Sequence, residues 1–311
     1  MKPDTAPLFV GCATALVTPM MPAPAGDGYT PPPVDYEAFV RLVRRQIAAG
    51  VDALVVCGTT GESSTLTDEE KLRLFSLAVQ ESRRAEAEGI ARRHIPVIAG
   101  TGSNNTARAV TLSRLAEKAG CDGLLAVTPY YNKCTQSGLI EHYTTIADQV
   151  KTPVIVYNVP SRTGMDITLE TYKTLSEHPN INGVKEAGPS IAKAARTLDA
   201  CGDALNVWSG NDDSAVPLLS IGGKGLISVL SNVRPAQTLD MVKSALRGDY
   251  ARAGRLQLEL MPLIDALFCE VNPIPVKEAM RIEGIDAGDP RLPLTPLSAE
   301  GRERLQRLLL S

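Results

Sequence analysis

Eight short runs rich in Val, Ile and Leu recur along the first three quarters of the chain, each followed by a longer stretch whose apolar residues repeat with helical spacing. The runs lie near Cys12 to Val17, Ala53 to Cys57, Pro96 to Gly100, Gly123 to Val127, Val154 to Asn158, Gly183 to Glu186, Asn206 to Ser209 and Gly225 to Val229. Helix starts between them are marked by Thr67-Asp68-Glu69-Glu70, a Thr cap with a Glu three residues later, and by Thr168-Leu169-Glu170. Strict βα alternation calls for a parallel sheet covered by helices, because parallel neighbours need a crossover rather than a hairpin.

Such a sheet is either an open doubly wound one or a closed (β/α)8 barrel, and the placement of reactive side chains decides between them. Thr59 and Thr60 follow the second run, Tyr130 and Tyr131 the fourth; Tyr157 is on the fifth, Lys185 on the sixth, and Asn211 and Asp212 follow the seventh. At ~4.8 Å per strand an open sheet strings five strand ends over ~20 Å, too far for one small substrate. Closure gathers them around one axis, so the expected fold is a (β/α)8 TIM barrel. After Val229 the strand pattern stops. Residues 1–248 are expected to form the barrel and 249–311 a small helical domain, with breaks at Gly248, Gly254 and Asn272-Pro273-Ile274-Pro275 and a last helix over Ala299 to Leu310. Met20 to Pro33, with five prolines after Met21, reads as a surface loop.

The 311 residues allow two domains, or one large domain with an appendage. A chain 44% hydrophobic and 22% charged can bury a core, and a net charge of −3 with 4% aromatics lacks both the basic footprint and the stacking platforms of a nucleic-acid binder. Cys12, Cys57, Cys121, Cys134, Cys201 and Cys269 stand singly, as do His94, His142 and His178. Neither a disulfide framework nor a metal site is expected, and reduced thiols point to a cytoplasmic protein. No run reaches the ~20 apolar residues of a membrane span. Lys2, the run Pro7 to Val17 and Ala23-Pro24-Ala25 loosely imitate a secretory signal, but Asp4, Gly11 and Thr14 interrupt it and the run is needed as the first strand.

Lys185 ends the apolar stretch Ile181-Asn182-Gly183-Val184. A lysine turned into a barrel is desolvated, its pKa falls from ~10.4, and the neutral amine becomes a nucleophile that forms Schiff bases with carbonyls. The alternative is an ion pair with Glu186, which strand alternation disfavours by pointing the two to opposite faces. Tyr157, on the neighbouring strand, suits proton transfer at an iminium carbon, with Thr59 passing the proton on; packing alone is the competing explanation. Gly58-Thr59-Thr60-Gly61-Glu62-Ser63 offers hydroxyls and amides at a helix N-terminus, a cradle for a carboxylate, or else a tight turn with a cap; it lacks the spacing of a nucleotide-binding loop. Arg162, in Pro160-Ser161-Arg162-Thr163-Gly164, carries the planar fork that takes a carboxylate bidentately, where the alternative is a surface arginine.

At these residues the sequence resembles the dihydrodipicolinate synthase family, within the pyruvate-dependent Schiff-base lyases that include N-acetylneuraminate lyase. The resemblance runs from GCATALVTP at Gly11 to NPIPVKEA at Asn272, through GTTGESSTLT, VIAGTGSNNT, TPYYNK, VYNVPSRTG, GVKEA and GGKGLISV in family order. It implies that Lys185 condenses with pyruvate and that Tyr157, Thr59 and Tyr131 form a proton relay, Tyr131 reaching a neighbouring subunit of a homo-oligomer, expected to be a tetramer built as a dimer of dimers. It further implies that Thr60, with nearby backbone, and Gly210 contact pyruvate, that Ile227 walls the site beneath, and that Arg162 takes the carboxylate of L-aspartate 4-semialdehyde. The implied product is 4-hydroxy-2,3,4,5-tetrahydrodipicolinate, on the route to diaminopimelate and lysine, with the imine as electron sink and no cofactor.

Three departures from the family pattern, Asn211, Cys134 and Gly188-Pro189-Ser190, fall near the mouth of the barrel. The nearest rival is a neuraminate or 2-keto-3-deoxy-sugar aldolase, which needs hydroxyl-binding groups where this chain has Arg162 and Tyr130-Tyr131; a non-catalytic keto-acid-binding barrel has no need to keep Lys185, Tyr157, Thr59 and Tyr131 together. Relatives inhibited by L-lysine carry an Asn and, four residues on, a Glu after the third strand. Here Asn104 is followed by Arg108, and Asp68 and Lys71 stand where sensitive relatives often have His. The expectation is insensitivity to lysine, since a cation repels a cation.

Overall fold

The computed structural model describes residues 5–25 and 28–310. Eight strands alternate with helices: β1 (Gly11–Ala15), α1 (Tyr36–Ala49), β2 (Ala53–Val56), α2 (Asp68–Ala87), β3 (Val97–Gly100), α3 (Thr106–Ala119), β4 (Gly123–Val127), α4 (Gln136–Asp148) and β5 (Val154–Asn158). After a one-turn helix α5 (Pro160–Thr163) come α6 (Leu169–Ser176), β6 (Ile181–Glu186), α7 (Ile191–Cys201), β7 (Asn206–Ser209), α8 (Ala215–Ser220), β8 (Gly225–Ser228) and α9 (Pro235–Leu246). The chain ends with α10 (Tyr250–Leu267), α11 (Ile274–Ile282) and α12 (Ala299–Leu309).

The strands pair in parallel in sequence order, and β8 closes on β1 through Gly11↔Gly225 to Thr14↔Ser228. Closure explains why the runs are apolar throughout instead of alternating with polar residues: both faces are buried. Along β2, Ala53 and Val55 join an inner cluster while Leu54 and Val56 join the layer under the helices. The inner cluster includes Phe9, Ala13, Ile98, Leu125, Ile155, Trp208 and Ile227. Trp208 fills the axis because its neighbour is Gly183, where a Cβ would come within 2.6 Å of the indole. Its Nε1 donates to the carbonyl of Phe9 at 3.2 Å and its ring stacks on Phe9 with centroids 5.2 Å apart, so one end of the barrel is plugged.

Thr67 caps α2 in a full capping box with Glu70, and Thr168 caps α6, as the sequence patterns indicate. A Ser, Thr or Asn cap of this kind is worth ~1 kcal/mol. Two expectations change. Gly254 does not break a helix: α10 runs through it, because Ala253, Gln257, Leu260, Leu263 and Ile264 bury one continuous face. The glycine-flanked loop at 58–63 is also not the start of α2, which begins at Asp68 after a separate turn over Ser63–Thr65.

The proline-rich loop is pinched at its base, where Met20 bridges Val34 and the Met21 amide donates to the Pro33 carbonyl at 2.8 Å, and Met21 to Ala25 are exposed. Lys2 and Asp4 of the signal-like segment, and positions 26–27 of this loop, lie outside the described residues; Cys12 to Val17 of the segment are buried in and beside β1. The six cysteines are free thiols. No helix among the described residues is long and apolar enough to cross a membrane.

Candidate active site

The β5–β6 register sets Tyr157 directly opposite Lys185. Both are 6% exposed, and the Lys185 Nζ sits 4.3 Å from the centroid of the phenol ring. Among the described residues the amine makes no ion pair. Glu186 points the other way, as strand alternation demands, and its carboxylate accepts from Asn158 Nδ2 at 2.9 Å, Tyr172 OH at 2.7 Å and the Gly188 amide at 2.7 Å. Gly210 presses on the lysine stem: a Cβ there would lie 2.9 Å from Lys185 Cε and 2.8 Å from Ala187 Cβ. Ile227, on β8, is fully buried in the same inner layer.

After β2 the chain folds into a turn of local hydrogen bonds, the Gly61 and Ser63 amides donating to the Gly58 carbonyl and the Glu62 amide to that of Thr59. Cys57 (φ 54°) and Glu62 (φ 57°) flank this turn in the left-handed region, which costs of order 1–3 kcal/mol each and persists only where surroundings enforce it. The enforcement comes from the C-terminal helices. Glu62 is buried against Lys277 of α11, Nζ to Oε1 2.6 Å, and its other oxygen accepts from the Arg291 amide at 2.9 Å. Burial lowers the Lys277 pKa and the Glu62 carboxylate pulls it back up. Asn272 Nδ2 donates to Thr60 Oγ1 at 3.0 Å, so the Thr60 hydroxyl faces the C-terminal segment. Glu62, Asn272, Lys277 and Arg291 are the supporting residues that reading the sequence missed. Glu62 lies in the family block GTTGESSTLT and Asn272 and Lys277 in NPIPVKEA, while Arg291 falls in neither.

Thr59, Tyr130, Tyr157 and Arg162 line a cavity of about 500 Å³ at the carboxyl ends of the strands. Arg162 reaches it from α5 and is exposed. Lys185, Gly210 and Ile227 lie in the barrel interior, on or just after the ends of β6, β7 and β8. Tyr131 does not join them: it is 93% exposed, with φ 69°, and faces away from the chain.

The sequence model of the Dihydrodipicolinate synthetase family matches residues 8–311. This chain belongs to that family. A 4-hydroxy-tetrahydrodipicolinate synthase of Caldicellulosiruptor saccharolyticus is 49% identical over 304 residues, covering 98% of this chain and 97% of its own. The crystal structure of dihydrodipicolinate synthase from Aquifex aeolicus superposes with a TM-score of 0.88 at 42% identity over 97% of both chains. That of the Cyanidioschyzon merolae enzyme, which holds bound lysine, does so with a TM-score of 0.88 at 37% identity over 98% of both.

Within this dihydrodipicolinate synthetase family member the departures have structural explanations. Asn211 Nδ2 donates to the Gly188 carbonyl at 3.3 Å, tying the loops after β7 and β6 together. Cys134 packs beside Gly138 at the start of α4. Asp212, fully enclosed, accepts from Ser228 Oγ at 2.6 Å and from the Val229 and Leu230 amides at 3.0 and 3.2 Å, joining β7 to β8. Burial raises its pKa, against the lowering effect of those bonds and of Lys185.

Proposed function

We infer that this enzyme is a 4-hydroxy-tetrahydrodipicolinate synthase, a lyase, and propose that Lys185 carries its chemistry as a Schiff base. The observation that supports this most is an enclosed lysine amine resting on the Tyr157 ring with no carboxylate partner. The amine adds to the ketone of pyruvate, and loss of water gives the imine. Protonated, the imine draws electrons from C3, which gives up a proton and becomes the nucleophilic enamine carbon. C3 attacks the aldehyde carbon of L-aspartate 4-semialdehyde. The amine of the second substrate then closes on the imine carbon, expels Lys185 and forms 4-hydroxy-2,3,4,5-tetrahydrodipicolinate.

Tyr157 and Thr59 hand protons to and from the reacting carbon and its leaving water. The free amides of the Thr59-Thr60 turn, with Gly210 leaving room beside the lysine stem, receive the pyruvate carboxylate above Ile227. Arg162 holds the carboxylate of the aldehyde substrate at the mouth. Tyr131, exposed and turned outward, completes the relay of a second copy, so the working form is a homo-oligomer, a dimer of dimers. The imine supplies the electron sink and no cofactor is needed. The domain division is residues 1–248 and 249–311, supported by the left-handed turn at Gly248 between α9 and α10. The enzyme is cytoplasmic, supported by its free thiols.

The test is turnover of purified protein with pyruvate and L-aspartate 4-semialdehyde in a coupled assay, beside cleavage of N-acetylneuraminate. Condensation without neuraminate cleavage is the expected outcome; preferential cleavage of the sugar acid would assign the barrel to the sugar aldolases.

A further inference from the structure

One residue beyond Tyr157 and Lys185 on the same two strands stands a second pair. The β5–β6 register sets Asn158 opposite Glu186, and alternation turns this pair to the outer face of the barrel, behind the reacting side chains. Both are buried, at 0% and 5% exposed. Asn158 Nδ2 donates to the two Glu186 oxygens at 2.9 and 3.2 Å, a side-chain bridge beside the backbone ladder. At the same level the Ala187 amide donates to the Asn158 carbonyl at 2.9 Å and the Gly210 amide to the Glu186 carbonyl at 2.7 Å.

The Glu186 carboxylate forms no ion pair among the described residues, and neutral donors meet it instead. Besides Asn158 these are the Tyr172 hydroxyl and the Gly188 amide, each at 2.7 Å. Burial, together with the neighbouring carboxylate, pushes the Tyr172 phenol up, so it stays protonated and donates. A Cβ at Gly188 would come within 2.8 Å of Glu186 Oε1, so the loop after β6 closes tightly on the carboxylate. Asn158 is equally committed. Its Nδ2 also donates to Asp166 Oδ1 at 2.9 Å, its oxygen accepts from the Ile167 amide at 3.3 Å, and Lys193 holds Asp166 in turn. Asp166 and Ile167 follow α5, which carries Arg162, so one polar hub ties together β5, β6 and the Arg162 segment.

We propose that Glu186 and Asn158 are a positioning pair for the reaction: locked together behind the sheet, they hold Lys185 and Tyr157 at the mutual geometry that imine formation requires. Neither touches substrate, and the proposal rests on the Schiff-base reading of Lys185. Packing alone would be served by apolar residues of the same shape, without the cost of burying a carboxylate. A fully satisfied polar network fixes direction as well as distance.

Time-resolved borohydride trapping of the pyruvate adduct, read by mass spectrometry, measures imine formation in each variant, with Tm as the measure of stability. Glu186→Gln keeps the volume but turns one acceptor into a donor facing donors. It is expected to slow imine formation at saturating pyruvate about tenfold or more, with the half-saturating pyruvate concentration moved by less than about threefold. Asn158→Ser is expected to slow it comparably, and the double variant to be no slower than the slower single one, because both remove one link. Tyr172→Phe leaves that link intact, so it is expected to lower Tm and keep the rate within about twofold. An unchanged rate in folded Glu186→Gln, additive defects in the double variant, or equal slowing in Tyr172→Phe overturns the proposal. Should Glu186→Gln not fold, the rate in Asn158→Ser decides. An unaltered enzyme that gives no Lys185 adduct removes the Schiff-base reading and this proposal with it, whereas a normal adduct formed at undiminished rate in Glu186→Gln removes this proposal alone.

Discussion

Arg162 is the residue whose proposed role is most separable from the rest. It stands on α5, clear of the barrel interior, and lines the cavity with no hydrogen-bond or ion-pair partner for its side chain among the described residues. Arg162→Ala is therefore expected to weaken use of the aldehyde by about 1.5–3 kcal/mol in kcat/KM, the value of a charged hydrogen bond, while pyruvate still forms its imine. Steady-state kinetics in both substrates check this; equal damage to imine formation would show a structural role. The lysine-insensitivity reading also belongs to single residues. Asp68 is the one anion that could offset Arg108 and Lys71 for a cationic ligand, and it is already paired with Arg108. Titrating L-lysine against the initial rate at saturating pyruvate is expected to show no half-inhibition below ~1 mM, a threshold that corresponds to ~4 kcal/mol of binding. At this scale Lys185 and Tyr157 were legible, since each is a polar group ending an apolar run. Lys277 was not. It occupies an ordinary helical position, and its partner Glu62 is 215 residues away, a separation that carries no local signal.

Among the elements, the strands could be read to within two residues because closure buries both their faces and leaves continuous apolar runs. Gly254 misled because glycine's cost of ~1 kcal/mol in a helix is a local penalty, which the buried face of α10 outweighs. The start of α2 at its Thr67 cap was legible, whereas the turn at 58–63 misled because it mimics a helix N-terminus in composition while its Gly61, Glu62 and Ser63 amides donate back within the turn. What holds that turn is α11, through the Glu62–Lys277 pair, whose side chains are 0% and 2% exposed. Removing one partner of such a pair strands a buried charge. Lys277→Met is expected to destabilise the protein by about 3–5 kcal/mol, read from the urea midpoint, and Glu62→Gln combined with Lys277→Met to recover part of it. A loss within ~0.5 kcal/mol for the single variant would show that the turn does not depend on α11.

For the whole molecule, the barrel makes the site by geometry alone. Strands numbered five to eight in the chain become neighbours around an axis, plugged at one end by Phe9 and Trp208, with a cavity at their carboxyl ends. The closed topology was legible because an open sheet cannot gather those strand ends. The C-terminal helices' grip on the β2 turn was not, because it depends on how the chain returns after the barrel is complete. The central claim is that this architecture places a nucleophilic amine at Lys185, and trapping it is the most direct measurement: borohydride reduction of the enzyme with pyruvate, followed by peptide mass spectrometry. The account predicts one covalent pyruvate-derived adduct, on Lys185, with loss of activity in proportion to labelling. An adduct on another lysine, or none while turnover persists, would contradict it.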